Sequence, residues 1–166
     1  MLNLTTKTAV VNKQEFFKIY KFFEKDILIE IIDIFIHEAP EKIESLYNDM
    51  NSNNLINFHF NAHSLKGTIG NFCAPVAFQM AKDLEKTSNL LLEIKKDKIS
   101  DNIMNSKILE ITGSEKFLNN DNETDLNVQI NELEKSLEAQ LKEISDAIKV
   151  MSLQLNEIRE ELIGKA

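Results

Sequence analysis

Apolar residues recur every three or four positions along most of this chain, which is the spacing of one face of an α-helix. The most regular run comprises Leu55, Phe58, Ala62, Leu65, Ile69 and Phe72. Together with neighbouring runs of the same kind, it predicts helices over residues 13–22, 26–50, 54–72 and 75–92. Because the connections between these helices are short, we expect neighbouring helices to run antiparallel.

The second half of the chain has a different pattern. Residues 95–124 are rich in Asn, Asp and Ser and lose the helical period, which predicts a long loop or a weak helix. From Leu126 the period returns and predicts a single helix over 125–163, about 60 Å long at 1.5 Å per residue. We expect this helix to complete a bundle formed with residues 1–94 and to extend beyond it.

The distal end of that long helix carries an apolar stripe that a bundle of shorter helices would leave uncovered. The stripe consists of Met151, Leu155, Ile158 and Leu162. We expect it to pair with a second copy of the chain as a coiled coil, giving a homodimer. The alternative is a helix within residues 95–124 that folds back and covers the stripe.

Composition narrows the class of protein. With 166 residues, 43% apolar and 28% charged, and only two prolines and four glycines, the chain is typical of one all-α globular domain with an appendage. A net charge of −8 argues against a nucleic-acid surface. The most apolar stretch, residues 27–36, is interrupted by Glu30 and Asp33, so we expect no membrane span. A single cysteine, Cys73, and no leader-like segment favour the cytoplasm.

The candidate chemistry lies in the third predicted helix. His63 is about 140° from the mean direction of the apolar stripe and should face outward. His59, Lys66, Gly67 and Gly70 share its face. A glycine inside a helix costs roughly 1 kcal/mol relative to alanine, so the two glycines need a function. They leave space in which a partner can approach an imidazole, and an ammonium one turn away can neutralise a phosphoryl group that the imidazole accepts.

Three segments carry a resemblance to a known family: "AHSLKGTIGNF", the following "APVAFQMAKDLE" and the preceding "LIEIIDIFIHEAPEKIESL". Over residues 12–92 the chain resembles the histidine-containing phosphotransfer (HPt) domains of bacterial two-component relays. The resemblance implies an antiparallel four-helix bundle in which His63 is the phosphoacceptor, Lys66 stabilises the phosphoryl group and Gly67 gives access. Glu85 matches the position that orients the histidine in several members.

The function implied by this resemblance is that of a phosphoryl carrier. It would take the group from a receiver domain, or from a sensor or hybrid histidine kinase, and pass it to a response regulator. No Gly-rich phosphate loop of an ATP-dependent kinase is visible in the sequence. The resemblance implies no cofactor bound by this chain, with Mg²⁺ held by the receiver. Gly67, Gly70 and His59 would form the docking face.

Two other functions remain open at this point. His59 and His63, spaced i and i+4, could bind zinc with Glu85 as a third ligand. The fold could also serve as a scaffold or dimerising interaction module without phosphorylation.

Overall fold

A computed structural model of the protein describes residues 11–96 and 123–164, except for the side chains of 123–126. These residues form the helices α1 Lys13–Ile19, α2 Lys25–Asn51, α3 Leu55–Gly70, α4 Pro75–Lys95 and α5 Glu123–Gly164. No strand occurs within the described ranges, and the predicted all-α class is confirmed. The loop or weak helix expected over 95–124 falls, except at its edges, outside the described residues.

The helix starts follow local capping chemistry. The side chain of Asn12 accepts a hydrogen bond from the Glu15 N–H, and that of Asn54 accepts one from the Asn57 N–H. Each bond satisfies an amide at a helix start that has no partner within the helix. Pro75 is the first residue of α4, where its missing N–H costs nothing.

Two helices end earlier than the apolar period predicts. α1 stops at Ile19 instead of residue 22, and the hydroxyl of Tyr20 donates to the Asn71 carbonyl at 2.9 Å. α3 stops at Gly70 instead of residue 72, although Phe72 is buried in the core. Past the helix end, Cys73 adopts a left-handed φ of 51° and its carbonyl accepts from the Asn12 N–H. Tertiary packing of the turn therefore replaces the last half-turn of helix.

The four long helices form a closed bundle. α2 packs against α3 and α5, and α4 packs against the same two helices on the other side. α1 lies at the end of the bundle where α3 stops and α4 begins, with the ring of Phe16 stacked on that of Phe72 at 6.3 Å between centroids. Because α3 and α4 also pack against each other, these two helices are neighbours in space as well as in sequence.

The core follows the helical period of each element. In α2 the buried residues are Leu28, Ile32, Phe35, Ala39, Ile43 and Leu46. In α3 they are Phe58, Ala62, Leu65 and Ile69. Burial of large apolar side chains contributes about 1.5–3 kcal/mol each, so this core is the main source of the bundle's stability. It also fixes the rotation of α3 and hence which of its residues face solvent.

The expectation that the distal end of α5 extends uncovered beyond the bundle is wrong. Met151, Leu155 and Ile158 are at most 3% exposed, and Leu162 is half-buried against the core. α2 and α4 pack against α5, and described residues between Val11 and Asp33 make polar contacts with its distal end. The Val11 N–H donates to Gln154 Oε1 at 2.9 Å, Lys13 pairs with Glu161 and Arg159 Nε donates to Asp33 Oδ1 at 2.5 Å.

The expected homodimer and coiled coil depended on this stripe being exposed. The burial of Met151, Leu155 and Ile158 removes that basis. The alternative cover, a helix within residues 95–124, is not needed for Met151, Leu155 or Ile158, and residues 97–122 of that segment lie outside the described ranges. Among the described helices, none combines the length and hydrophobicity needed to cross a membrane.

Candidate functional site

His63 lies in the second half of α3 and faces outward, as the helical period predicts. Its side chain is 66% exposed, whereas Ala62 and Leu65 on either side of it are completely buried. The buried stripe holds α3 against α2 and α4, so the direction of the imidazole is set by the core. The ring is therefore accessible to a large partner.

Glu85 of α4 contacts two side chains of this site. Its Oε1 lies 2.5 Å from His63 Nδ1, and its Oε2 accepts from Lys66 Nζ at 2.5 Å. An ionised carboxylate has no proton to donate, so Nδ1 of the imidazole must carry the proton in this hydrogen bond. In the neutral ring, Nε2 then holds the free lone pair.

The charge state of Glu85 follows from its surroundings. Burial raises its pKa, but the hydrogen bonds from Lys66 and His63 and their positive charges outweigh the burial, and the pKa is lowered from its ordinary value. Glu85 is therefore an anion at neutral pH. Its side chain is only 17% exposed, so the two hydrogen bonds are shielded from water on the α4 side.

The two glycines differ in what surrounds them. A Cβ added at Gly67 would meet nothing within 4 Å, so the surface one turn after His63 is open space. A Cβ at Gly70 would lie 3.4 Å from the ring of Phe78, which is an ordinary contact within the protein. Gly70 also borders an apolar crevice with Ile19 and Cys73. Of the two glycines, only Gly67 leaves its side fully open.

His59, expected on the docking face, is half-buried and tied to α4. Its Nδ1 lies 3.1 Å from the hydroxyl oxygen of Ser88, and that hydroxyl donates to the Glu85 carbonyl at 2.8 Å. Because the hydroxyl proton is already used, Ser88 accepts from the His59 N–H. His59 thus helps hold α3 against α4 one turn below His63.

The zinc site considered as an alternative would lack Glu85 as its third ligand. Both Glu85 oxygens are occupied by His63 Nδ1 and Lys66, and the ammonium of Lys66 would repel a cation there. Within residues 11–96 and 123–164, no group of three or more His, Cys, Asp or Glu side chains could hold a metal ion.

Several exposed residues around His63 were not predicted as part of the site. Ile56 and Phe60 are 63% and 69% exposed and precede His63 by seven and three positions, which places them on its face of α3. Phe78 of α4 is also exposed, beside Gly70. The spacing of Ile56 and Phe60 from His63 was the available signal, since both fall off the buried stripe. Apolar residues exposed together on one face commonly mark an interaction surface.

One comparison with known proteins supports the family resemblance that the sequence shows. Residues 30–105 match the family model described as Hpt domain. No match is found among curated proteins or among solved structures. The matched range contains α3, most of α2 and all of α4, and with them His63, Lys66 and Glu85. This match supports an Hpt domain within residues 30–105 and, with it, a role in histidine phosphotransfer in two-component signalling in general.

Proposed function

We propose that His63 is the phosphoacceptor of this domain and that the chain carries the group between receiver domains, or from a histidine kinase to a response regulator. The observation that carries the proposal is the hydrogen bond between His63 Nδ1 and the ionised Glu85. It leaves the Nε2 lone pair free on an exposed ring. A neutral, exposed imidazole is an effective nucleophile toward phosphorus.

In the transfer step, Nε2 attacks the phosphorus of a phosphoaspartate on the receiver. An N–P bond forms, the P–O bond to the aspartyl carboxylate breaks, and the carboxylate keeps the electron pair. The Nδ1 proton stays in its hydrogen bond with Glu85, whose negative charge offsets the positive charge that develops on the ring. Transfer to a second receiver is the same step in reverse.

Lys66 supplies positive charge for the transferred group. At rest its ammonium pairs with Glu85 Oε2, and its side chain is 24% exposed at the edge of the site. An ammonium on a flexible stem can move toward the phosphoryl oxygens once they arrive. Lys66 therefore stabilises the product without forming a bond in the reaction.

The partner binds on the outward face of α3. Gly67 leaves open space beside the imidazole, and Ile56 and Phe60 offer apolar contact on the other side. This combination fits a folded protein better than a small metabolite, because the exposed residues extend along one face of α3 from Ile56 to Gly67. The Mg²⁺ that phosphoaspartate chemistry requires would be held by carboxylates of the receiver, since His63 and Lys66 offer no oxygen ligand.

The experiment is phosphotransfer from receivers charged with radioactive phosphate, using the wild type and single His→Gln variants. Label should enter the wild type and be lost in His63→Gln. His37→Gln is the matched control, because the His37 side chain is 80% exposed on α2, where it lies 3.5 Å from Glu41. The label should be acid-labile and base-stable, as expected of an N–P bond. Label retained in His63→Gln, or surviving acid, would reject the proposal.

A further inference from the structure

Contacts between α3 and α4 define the register of the two antiparallel helices. Gly70 lies against Phe78, His63 against Glu85, and His59 against Ser88. A residue nearer the start of α3 therefore lies beside a residue that is nearer the end of α4 by about the same number of positions. Lys82, between Phe78 and Glu85, therefore lies level with Lys66 and Gly67.

Lys82 is exposed and differs from Lys66 in its charge environment. Lys66 is paired with Glu85, so its charge is largely neutralised at rest. Lys82 makes no salt bridge in the part of the chain that the structure describes. Its neighbour Asp83 accepts a hydrogen bond from Gln79. A cation without a salt-bridge partner among the described residues thus borders the open space at Gly67, in a protein with a net charge of −8.

We propose that Lys82 is a specificity-determining contact for the phosphoryl donor and acts on the docking partner instead of on the phosphoryl group. The inference rests on the proposed function of His63. A receiver that presents a phosphoaspartate among Mg²⁺-binding carboxylates has an acidic rim around its reacting atoms. Lys82 binds that rim and increases the rate of productive encounter, while Lys66 stabilises the phosphoryl group itself.

This division of roles predicts different responses to donor size. Phosphoramidate is a small phosphodonor: His63 Nε2 attacks its phosphorus, the donor's P–N bond breaks and ammonia leaves after taking up a proton. It has no protein surface for Lys82 to bind. Removing the Lys82 charge should therefore slow transfer from a receiver and leave labelling by phosphoramidate unchanged, whereas Lys66→Gln should slow both.

The test compares Lys82→Gln with Lys142→Gln. Lys142 is likewise exposed, makes no salt bridge among the described residues, and lies on α5, which packs against α2 and α4. We expect Lys82→Gln to lower kcat/KM for transfer from a phosphorylated receiver about three- to tenfold at low salt. The difference should fade at high salt, because exposed charges are screened. Lys142→Gln should match the wild type throughout.

Each outcome separates this inference from the proposed function. If the wild type transfers normally and Lys82→Gln behaves like Lys142→Gln, Lys82 has no docking role but His63 keeps its own. If Lys82→Gln slows labelling by phosphoramidate as much as transfer from the receiver, Lys82 acts on the phosphoryl group, which overturns the docking role. If neither donor labels the wild type at His63, the proposed function fails and this inference fails with it.

Discussion

Replacing Gly67 by glutamine should make the domain slightly more stable and yet strongly slow phosphotransfer. Gly67 lies within α3, and a Cβ at this position meets nothing within 4 Å. The substitution therefore introduces no clash. Glutamine is favoured over glycine in a helix by about 0.5 kcal/mol, so the free energy of unfolding should rise by about that amount.

The effect on transfer follows from helix geometry. Side chains of a helix lean toward its N-terminus, so a side chain introduced at Gly67 would lie over the turn that carries His63. The Cβ atoms of residues spaced i and i+4 are only about 5–6 Å apart, which a glutamine side chain spans. The amide of the introduced glutamine would then occupy the space that the partner needs. We expect transfer from a receiver to fall at least roughly tenfold, since 1.4 kcal/mol of lost docking energy is sufficient.

The assay pairs urea unfolding with phosphotransfer for the wild type, Gly67→Ala and Gly67→Gln. Gly67→Ala should also stabilise the helix, but its side chain is too short to lie over His63. Its transfer rate should therefore lie between those of the wild type and Gly67→Gln. A well-folded Gly67→Gln protein that transfers at the wild-type rate would refute the role of Gly67 in docking. A loss of stability in Gly67→Ala would show that the open space beside α3 is wrongly described.

Three further predictions test the remaining parts of the structure. Leu155→Ala should lower the free energy of unfolding by about 2–5 kcal/mol at any protein concentration, because this side chain is fully buried within one chain. Leu153→Ala, two positions away and 68% exposed, should change it by at most about 0.5 kcal/mol; a urea midpoint that rises with protein concentration would instead indicate a dimer. Burial raises the pKa of Glu85, but its hydrogen bonds with Lys66 and His63 lower the pKa overall, so its stabilising effect is present above the ordinary pKa and is lost as the pH falls through the lowered one. Glu85→Gln should therefore unfold at lower urea than the wild type at neutral pH, with a difference that narrows as the pH falls through the ordinary glutamate pKa of about 4.3 and closes below the lowered one; a constant difference would contradict this. Lys66→Ala should slow transfer roughly tenfold without abolishing it, and a loss as complete as in His63→Gln would show that Lys66 does more than stabilise charge.

The sequence by itself determined the features that depend on a single helix. The 3.6-residue period predicts the buried stripe of α3, and with it the outward direction of His63 and the position of Lys66 and Gly67 on the same face. These relations are local, because residues three or four apart on a helix are neighbours whatever surrounds it. The helix starts at Asn12 and Asn54 likewise follow from side chains within three residues.

Only the tertiary structure decided how separate helices meet. Glu85 is 22 positions from His63, and no spacing rule brings it to Nδ1; the family resemblance suggested the contact, and the register of α3 against α4 produces it. The same register ties His59 to Ser88 and puts Lys82 level with Gly67. The sequence pattern also did not determine what covers the distal apolar stripe of α5. An apolar period shows that a face needs to be buried, but which distant segments bury it depends on tertiary packing. Here α2 and α4 pack against α5, and Val11 and Lys13 contact its distal end.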